Sequence, residues 1–280
     1  MSVWYALLMG LVQGATEFLP VSSTAHLCLL QTLFPSGSAE EALLLDVLLH
    51  LATLSAVCAA FWPDLLAVLR ELRRIPARLF RKGDRSAPPD PGADRLLFLL
   101  ALGSLPLVLT LPFREQVERL CRSKVFIGLA LLATGCLLYF GDRLSRGSKD
   151  AGKATGGDAV LVGFMQALAV LPGLSRSGST VIGGLTRGFS PSFAVKFSFL
   201  LSLPPILGAG LLKTVEALRG GLDPRFFPVC ALGMLAALLS GCLSIRFVRI
   251  LSDRGSFGRF RYYCWGLGLL VLLAGVFLKG

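Results

Sequence analysis

Two short polar stretches interrupt long apolar segments, and their side chains are of the kinds that bind and cleave charged substrates. The first stretch runs from Gln13 to His26 and the second from Leu171 to Thr180. Each places a proline, several hydroxyls and ionisable groups within sequence that is apolar enough for a membrane. Hydrocarbon tolerates broken helices and charges only where protein buries them or where they line a wet cavity. We therefore expect both stretches to form one site.

Arg176 is the principal candidate of the second stretch, because a planar guanidinium offers paired donors to a phosphate. The hydroxyls of Ser175, Ser177 and Thr180 and the N–H of Gly178 add substrate-binding donors. The segment also predicts a helix N-terminus, which favours anions. The alternative is that Arg176 only reaches a lipid headgroup. An arginine at the centre of a membrane helix costs about 2.5–3.5 kcal/mol, which favours the anion site.

The first stretch supplies a carboxylate, a titratable ring and hydroxyls. Ser23 and His26 are three residues apart and share a face if the segment is helical. A hydroxyl becomes a nucleophile when a base accepts its proton, and histidine is the usual base. Glu17 is predicted to orient His26 or to bind a metal ion, and either Ser23 or water attacks. His26 as a capping or hydrogen-bonding group is the alternative. The additional substrate-binding candidates here are Gln13, Ser22 and Thr24.

A third polar pair, Asp46 and His50, lies one helical turn apart in an otherwise apolar segment. A buried pair that holds this helix in register is at least as good an interpretation as catalysis. Their role therefore stays open at the level of sequence.

The elements that position these residues are those of an all-α polytopic membrane protein with a single membrane domain. The chain is 54% hydrophobic and only 16% charged, and apolar runs near the length of a span recur. The net charge of +11 arises from basic loops, which indicates retention of these loops on the cytoplasmic side and not binding of nucleic acid. The seven cysteines form no C-x-x-C pair and support neither a metal site nor a disulfide framework.

Six full spans are predicted between the polar loops, together with two re-entrant helix–loop–helix units at residues 2–34 and 159–190. The loop Pro63–Asp94 is the most basic and is assigned to the cytoplasm, as are Gly141–Asp158 and Arg249–Arg261. We expect part of Pro63–Asp94 to be an amphipathic helix and its tail, Gly83–Gly92, to be flexible. A kink is expected at Pro204-Pro205. The predicted spans are Glu40–Trp62, Arg95–Pro112, Val125–Phe140, Phe193–Leu218, Phe226–Phe247 and Tyr262–Leu278.

An internal repeat links the two polar stretches. Gly10-Leu11-Val12-Gln13 precedes the first and Gly163-Phe164-Met165-Gln166 the second, and each is followed by Leu-Pro and by serines. The predicted halves are residues 1–140 and 141–280, each with a re-entrant unit and three spans. The two units enter from opposite sides, so the pattern predicts an inverted-topology repeat with the site where the broken tips meet.

These residues resemble the bacterial undecaprenyl-diphosphate phosphatases of the bacitracin-resistance type. Gln13 to Leu27, Asp46 to Leu54 and Pro172 to Thr180 carry the resemblance, and length and hydropathy agree along the chain. The resemblance implies a membrane enzyme with an inverted repeat that hydrolyses undecaprenyl diphosphate to the monophosphate and so recycles the lipid carrier of cell-wall synthesis. By position, the implied core site residues are Glu17, Ser23, His26 and Arg176.

The resemblance also implies a pocket that opens to the periplasmic side of the bacterial inner membrane and assistance by Mg²⁺ or Ca²⁺. Many members have Glu where this chain has Gln13, which removes one carboxylate. We therefore expect a cation to be carried mostly by the substrate diphosphate, with Glu17 as the one protein carboxylate, and no organic cofactor. The expected partners are the lipid substrate and membrane lipids. The oligomeric state stays open, with a homodimer as one alternative.

A second hypothesis is a transporter or flippase of a prenyl or lipid phosphate, since inverted repeats with broken helices are usual in transporters. Such a protein needs Arg176 but not a Ser–His pair, so phosphate release discriminates between the two. The other type of membrane lipid phosphatase uses a histidine nucleophile, a second histidine and an Arg-Pro motif. Both histidines here precede the Ser-Arg element and no such motif follows it, so this third interpretation is set aside.

Overall fold

The computed structural model describes residues 1–80, 90–141, 143, 147–208, 210–211, 226–254 and 257–277. Helices make up almost all of this part of the chain, and no β-strand occurs in it beyond one isolated bridge between Lys149 and Phe189. The helices are α1 (Val3–Phe18), α2 (Ser23–Leu33), α3 (Ala39–Ala60), α4 (Trp62–Phe80), α5 (Pro91–Ser104), α6 (Arg114–Leu120), α7 (Lys124–Gly141), α8 (Gly156–Leu168), α9 (Arg176–Thr186), α10 (Pro191–Leu201), α11 (Phe226–Arg254) and α12 (Phe260–Phe277).

Six helical segments in the described part of the chain are long and apolar enough to cross a membrane, which confirms the expected all-α polytopic class. They are Glu41–Ala60, Pro91–Phe113, Lys124–Gly141, Pro191–Gly208, Phe226–Ser252 and Phe257–Phe277. The second of these changes from α-helix to a 3₁₀-helix at Leu105–Phe113, where Pro106 and Pro112 lie. A proline removes a backbone donor and crowds the preceding turn, so the regular α-helix ends before the segment does.

Some predicted boundaries differ from the structure. Much of the basic segment Pro63–Asp94 is helix α4, whose exposed basic face and partly buried apolar face agree with the expected amphipathic helix. Most of the predicted flexible tail lies outside the described residues. The loop between the last two spans is shorter than the predicted Arg249–Arg261, because α11 continues to Arg254 and α12 begins at Phe260.

The fourth span breaks close to its expected kink. Helix α10 ends at Leu201 with Ser202 as its C-cap, and a further helical segment begins at 203, just before Pro204-Pro205. Pro204 and Pro205 have no backbone N–H to donate to the carbonyls four residues earlier, so the hydrogen-bond ladder of α10 is not continued past this point. The stretch 212–218 of the predicted span lies outside the described residues.

Helices α1 and α8, which precede the two polar stretches, pack in corresponding ways. Helix α1 crosses α11, and a Cβ at Gly10 would lie 2.1 Å from the carbonyl oxygen of Gly233. Helix α8 crosses α5, and a Cβ at Gly163 would lie 2.1 Å from the carbonyl oxygen of Gly103. Each crossing is therefore so close that only glycine fits. The first helix of each predicted half therefore packs on the second of the three spans of the other half: α1 on α11, and α8 on α5. The third spans of the two halves, α7 and α12, pack on each other.

This exchange of partners is what two swapped halves would produce, and it supports the inverted repeat. Both polar stretches also join a longer helix to an 11-residue one, α1 to α2 and α8 to α9. The pairs α1–α2 and α8–α9 each pack against each other as a helix–break–helix unit. That these units enter the bilayer and turn back stays a prediction, as do the division at residue 140 and the opposite orientation of the halves.

Asp158 in the first turn of α8 fastens the loop that joins the halves. Its carboxylate is fully buried and accepts hydrogen bonds from Lys149 Nζ at 2.9 Å, from Arg187 Nε at 2.7 Å and from the Thr155 backbone N–H at 2.9 Å. Burial alone would raise the pKa of Asp158, but these donors outweigh it and hold the pKa well below the usual range of a carboxyl. Asp158 therefore stays ionised and fixes the entry to α8.

Candidate active site

The centre of the site is the buried carboxylate of Glu17 in the last turn of α1. Its Oε2 accepts hydrogen bonds from Ser23 Oγ at 2.6 Å and from Gln13 Nε2 at 3.0 Å. Its Oε1 accepts a charge-assisted bond from Arg176 Nη2 at 2.7 Å. Because Gln13, Glu17 and Ser23 come from the first polar stretch and Arg176 from the second, the two stretches meet at this carboxylate.

A strained turn brings Ser23 to Glu17. Helix α1 ends at Phe18, and Ser22 takes a φ of +67°, which is uncommon for a residue other than glycine. Ser22 is also the N-cap of α2, since its Oγ accepts a hydrogen bond from the Ala25 N–H at 3.4 Å. The chain therefore reverses within four residues, and Ser23 becomes the first residue of α2.

A second turn places Arg176 opposite. Gly173 has a φ of +100°, and a Cβ there would lie 2.6 Å from Ala130 Cβ. Thr134 on α7 holds both sides of this turn, because its Oγ1 donates to the Gly173 carbonyl at 2.9 Å and accepts from the Ser175 N–H at 3.1 Å. Ser175 is the N-cap of α9, so Arg176 is its first residue and the expected helix N-terminus is confirmed.

Several residues predicted to bind substrate are engaged in holding the two turns together. Ser177 Oγ donates to the Leu19 carbonyl at 3.1 Å and so joins one turn to the other. Thr180 Oγ1 donates to the Arg176 carbonyl at 2.8 Å, and the Gly178 N–H donates to Ser175 Oγ at 3.1 Å. Together with Gln13, these three residues are absent from the lining of the cavities described next.

A small cavity of about 170 Å³ lies over the Glu17–Arg176 pair and opens into a larger one of about 980 Å³. Ser22, Ser23 and Ser175 line the small cavity, and Thr24 and Arg176 line both. The first residues of α2 and α9, Ser23 and Arg176, both line the small cavity, so the N-termini of two helices, with their positive dipole ends, lie beside it. The other residues that line the small cavity are Thr16, Glu17, His50, Ala169, Val170, Leu174 and Ile206.

Of the two histidines, His50 lines the small cavity and His26 does not. His26 Nδ1 lies 2.8 Å from the Ser22 carbonyl oxygen and its Nε2 lies 2.6 Å from the Tyr263 hydroxyl, on which the ring stacks. The structure thus gives His26 other partners than Ser23. His50 Nε2 lies 3.8 Å from Glu17 Oε2.

The sequence left the role of Asp46 and His50 open, and in the structure the two side chains have different partners. His50 Nδ1 lies 2.7 Å from the backbone carbonyl oxygen of Asp46, while the Asp46 carboxylate accepts a hydrogen bond from Gln31 Nε2 at 2.7 Å. The sequence analysis also missed Thr134 and Ser198. Ser198 accepts from Arg176 Nη1 through its carbonyl at 3.5 Å and contacts Thr180 through its hydroxyl. The one feature of the sequence that could have indicated Thr134 and Ser198 is that each is a hydroxyl residue within an apolar span.

The oxygen atoms near Glu17 suit a cation that is shared with a ligand. Gln13 Oε1 is buried and has no hydrogen-bond partner in the described part of the chain, and amide and carboxylate oxygens are ligands that Mg²⁺ and Ca²⁺ accept. No group of three His, Cys, Asp or Glu side chains converges among the described residues. Glu17 with Gln13 therefore fits a cation that keeps waters or takes ligand oxygens better than one held in a closed cage.

The fold and the site together define a multi-pass helical membrane protein with a carboxylate–arginine–serine cluster where two broken helices meet. Comparison with known families narrows this class. Residues 6–270 match the family model described as "Bacitracin resistance protein BacA". The chain belongs to this family.

Relatives that match over almost their whole length share one name. The chain is 38% identical over 287 residues to the "Undecaprenyl-diphosphatase" of Thermomicrobium roseum, a match that covers 100% of both proteins. It is 38% identical to the protein of that name from Carboxydothermus hydrogenoformans, which covers 98% of this chain and 97% of the relative. It is 35% identical to the one from Halothermothrix orenii, which covers 99% of this chain and 100% of the relative.

Proposed function

We propose that this protein hydrolyses undecaprenyl diphosphate to undecaprenyl phosphate and inorganic phosphate in the membrane. The observation that carries the proposal is the cluster of Arg176, Glu17 and Ser23 over a polar cavity, in a chain of the BacA family whose relatives are named undecaprenyl-diphosphatases. The larger cavity beside it leads toward apolar side chains such as Leu27, which suits a prenyl chain.

The terminal phosphate lies in the small cavity in this proposal. Arg176 has five N–H groups, of which two bond to Glu17 and to the Ser198 carbonyl. The remaining donors, with the N–H groups at the starts of α2 and α9, stabilise the charge that develops on the phosphoryl oxygens. Glu17 orients the Ser23 hydroxyl through the 2.6 Å hydrogen bond. Ser23 or a water beside it attacks phosphorus and passes its proton to Glu17, and undecaprenyl phosphate leaves with the electrons of the broken P–O bond. Where Ser23 attacks, a water then cleaves the Ser23 phosphoester and releases inorganic phosphate.

A divalent cation, carried by the diphosphate, is part of this proposal. It would neutralise phosphate charge, and Glu17, which lines the small cavity, would be its protein carboxylate ligand, with Gln13 bonded to that carboxylate. Glu17→Gln should reduce activity sharply, while Gln13→Glu should be tolerated and should raise cation affinity. Activity is measured against free Mg²⁺ or Ca²⁺ for the three proteins. A tightly bound metal in the substrate-free protein would contradict this picture, as would full activity with unchanged cation dependence in Glu17→Gln.

The setting proposed for this activity is the bacterial inner membrane, with the site open to the periplasmic side. The basic segments α4 and 142–155 lie on the cytoplasmic side by the positive-inside rule. Hydrolysis there returns the lipid carrier to cell-wall synthesis and lowers the amount of diphosphate lipid, which is the basis proposed for bacitracin resistance. A homodimer stays one alternative for its assembly.

Release of phosphate by the purified protein tests the proposal. The protein in detergent is incubated with undecaprenyl diphosphate, with and without EDTA, and free phosphate and prenyl monophosphate are measured. We expect one phosphate per lipid in the wild type and almost none in Arg176→Ala, which controls for a contaminating phosphatase. Transport of a prenyl phosphate across liposomes without any phosphate release would instead support the flippase hypothesis.

A further inference from the structure

Gln166 is a buried amide that the structure leaves without a partner. Its side chain is 2% exposed, and neither Nε2 nor Oε1 makes a hydrogen bond within the described part of the chain. A buried polar group without a partner is destabilising, and such groups are rare in folded proteins. Gln166 also lines the larger cavity. Something that enters this cavity is therefore expected to bond to it.

The internal repeat explains why the amide lacks a partner. Gln13 and Gln166 stand at the same place in the repeat, three residues after Gly10 and Gly163. Gln13 donates to Glu17, four residues further along α1. The residue four positions after Gln166 is Val170, which offers no acceptor. The second half has thus kept the amide and replaced its internal partner by an apolar side chain.

The position of Gln166 relative to the small cavity indicates which part of a ligand it meets. Val170 and Ala169 line both cavities, whereas Gln166 lines the larger one alone. Four residues correspond to about 6 Å along a helix, so Gln166 lies roughly one turn beyond the residues around the reacting phosphate. Arg176 lines both cavities and marks where they join.

We propose that Gln166 is a substrate-binding residue that donates a hydrogen bond from Nε2 to the lipid-linked phosphate, the one that stays on the prenyl chain. This inference rests on the proposed diphosphatase function, which puts the terminal phosphate at Arg176 and Ser23. The amide is neutral, so it binds a phosphate oxygen without adding charge beside Arg176. Gln166 then distinguishes a lipid that carries this phosphate from free inorganic phosphate.

Product inhibition separates the two phosphates, because undecaprenyl phosphate keeps the lipid-linked phosphate and lacks the terminal one. Gln166→Met preserves the length of the side chain and removes its hydrogen bonds. We expect the inhibition constant for undecaprenyl phosphate and the KM for the diphosphate to rise together, by about 10- to 100-fold. Inhibition by inorganic phosphate should change less than twofold. Gln166→Glu, which also adds negative charge, should weaken inhibition by the product further.

Thermal unfolding in detergent without lipid gives an independent measurement. Since Gln166→Met replaces an unpartnered buried amide by an apolar group, its Tm should equal or exceed that of the wild type. The matched variant in the other half, Gln13→Met, should have a lower Tm, because it breaks the bond to Glu17. A lower Tm in Gln166→Met with unchanged product inhibition would show a structural role and overturn the proposal.

The failure of this inference is distinguishable from that of the proposed function. Wild-type phosphate release together with unchanged product inhibition in both Gln166 variants would overturn the role of Gln166 and leave the diphosphatase standing. Equal weakening of inhibition by product and by inorganic phosphate would place Gln166 at the terminal phosphate and overturn the assignment to the lipid-linked one. No phosphate release by the wild type would overturn both.

Discussion

At the scale of residues, the site is organised around one carboxylate that serves several partners. Glu17 binds Arg176 through one oxygen and Ser23 and Gln13 through the other. A buried carboxylate is stable only when such donors replace water. The same contacts hold the arginine and the hydroxyl in place before substrate arrives, which is the preorganisation that phosphoryl transfer requires.

The guanidinium of Arg176 should not be replaceable by another cation. Arg176→Ala should remove nearly all activity, and Arg176→Lys should remain about 100-fold or more below the wild type, because an ammonium lacks the planar fork. A lysine could still pair with Glu17 but not also reach the Ser198 carbonyl. Steady-state phosphate release measures the effect. Near-normal turnover in the lysine variant would count against direct clamping of the phosphate.

The hydroxyl of Ser23 is expected to matter more than its neighbours. Ser23→Ala should lose about 100-fold or more in kcat while still binding substrate, if Ser23 is the nucleophile. Ser22→Ala should lose mainly about 1 kcal/mol of stability through its helix cap. Ser177→Ala removes the hydrogen bond to the Leu19 carbonyl and the contact with Ser175 Oγ. Because Ser177 lines neither cavity, activity should be less sensitive to this change than to Ser23→Ala. Substantial turnover in Ser23→Ala would assign the attack to water and leave Ser23 as a hydrogen-bond donor.

At the scale of elements, the site depends on how two helix breaks are held. Ser22 and Gly173, both with positive φ, turn the chain from one helix into the next. Local caps, Ser22 for α2 and Ser175 for α9, set where the next helix begins. The Gly173 turn is fixed by α7, a span from the first half, so each half contributes to the site of the other.

Thr134 should act as this anchor, although it touches no substrate. Thr134→Val keeps the shape of the side chain but leaves the Gly173 carbonyl and the Ser175 N–H unpaired, which should cost about 1–3 kcal/mol of stability. Because Ser175 caps α9, Arg176 should shift and kcat should fall about 10-fold or more. Thr134→Ser keeps the hydroxyl and is the control. Thermal unfolding and phosphate release measure both effects, and a Thr134→Val protein with normal kcat would refute the anchoring role.

At the scale of the whole molecule, six spans and two helix–break–helix units pack together, and their buried apolar residues form four clusters in the described part of the chain. The crossings of α1 with α11 and of α8 with α5 bind the halves together through glycine contacts. This packing agrees with the inverted repeat, whose opposite orientation of the halves stays a prediction. The expectation for which loops lie on which side comes from the positive-inside rule.

The sidedness of the bundle is open to a labelling test. In a cysteine-free background, Ser148→Cys, in the segment between α7 and α8, should be labelled by a membrane-impermeant thiol reagent only after the cells are opened. Glu115→Cys, at the start of α6, should be labelled in intact cells. Both side chains are exposed, so access is limited by the membrane alone. Equal labelling of the two positions in intact cells would contradict the proposed orientation.

Much about this protein follows from its sequence. Apolar run lengths predict the six spans because hydrocarbon thickness fixes the length of a crossing helix. The helix start at Arg176 was readable because Ser175 is a local capping residue. The family resemblance was carried by three contiguous segments and agrees with the match over residues 6–270. All of these depend on neighbours along the chain.

The tertiary structure alone decided which groups meet. It paired Arg176 with Glu17 across 159 residues. It also placed the His26 ring in contact with the Tyr263 hydroxyl, and His50 beside the carboxylate of Glu17. It bonded Thr134 to the Gly173 turn and left Gln166, a residue that lines a cavity, with a buried amide that has no partner in the described part of the chain. Helix periodicity fixes the face on which a side chain lies, but the partner opposite depends on how separate helices cross and rotate. That is set by packing contacts, such as those at Gly10 and Gly163, between segments far apart in the chain.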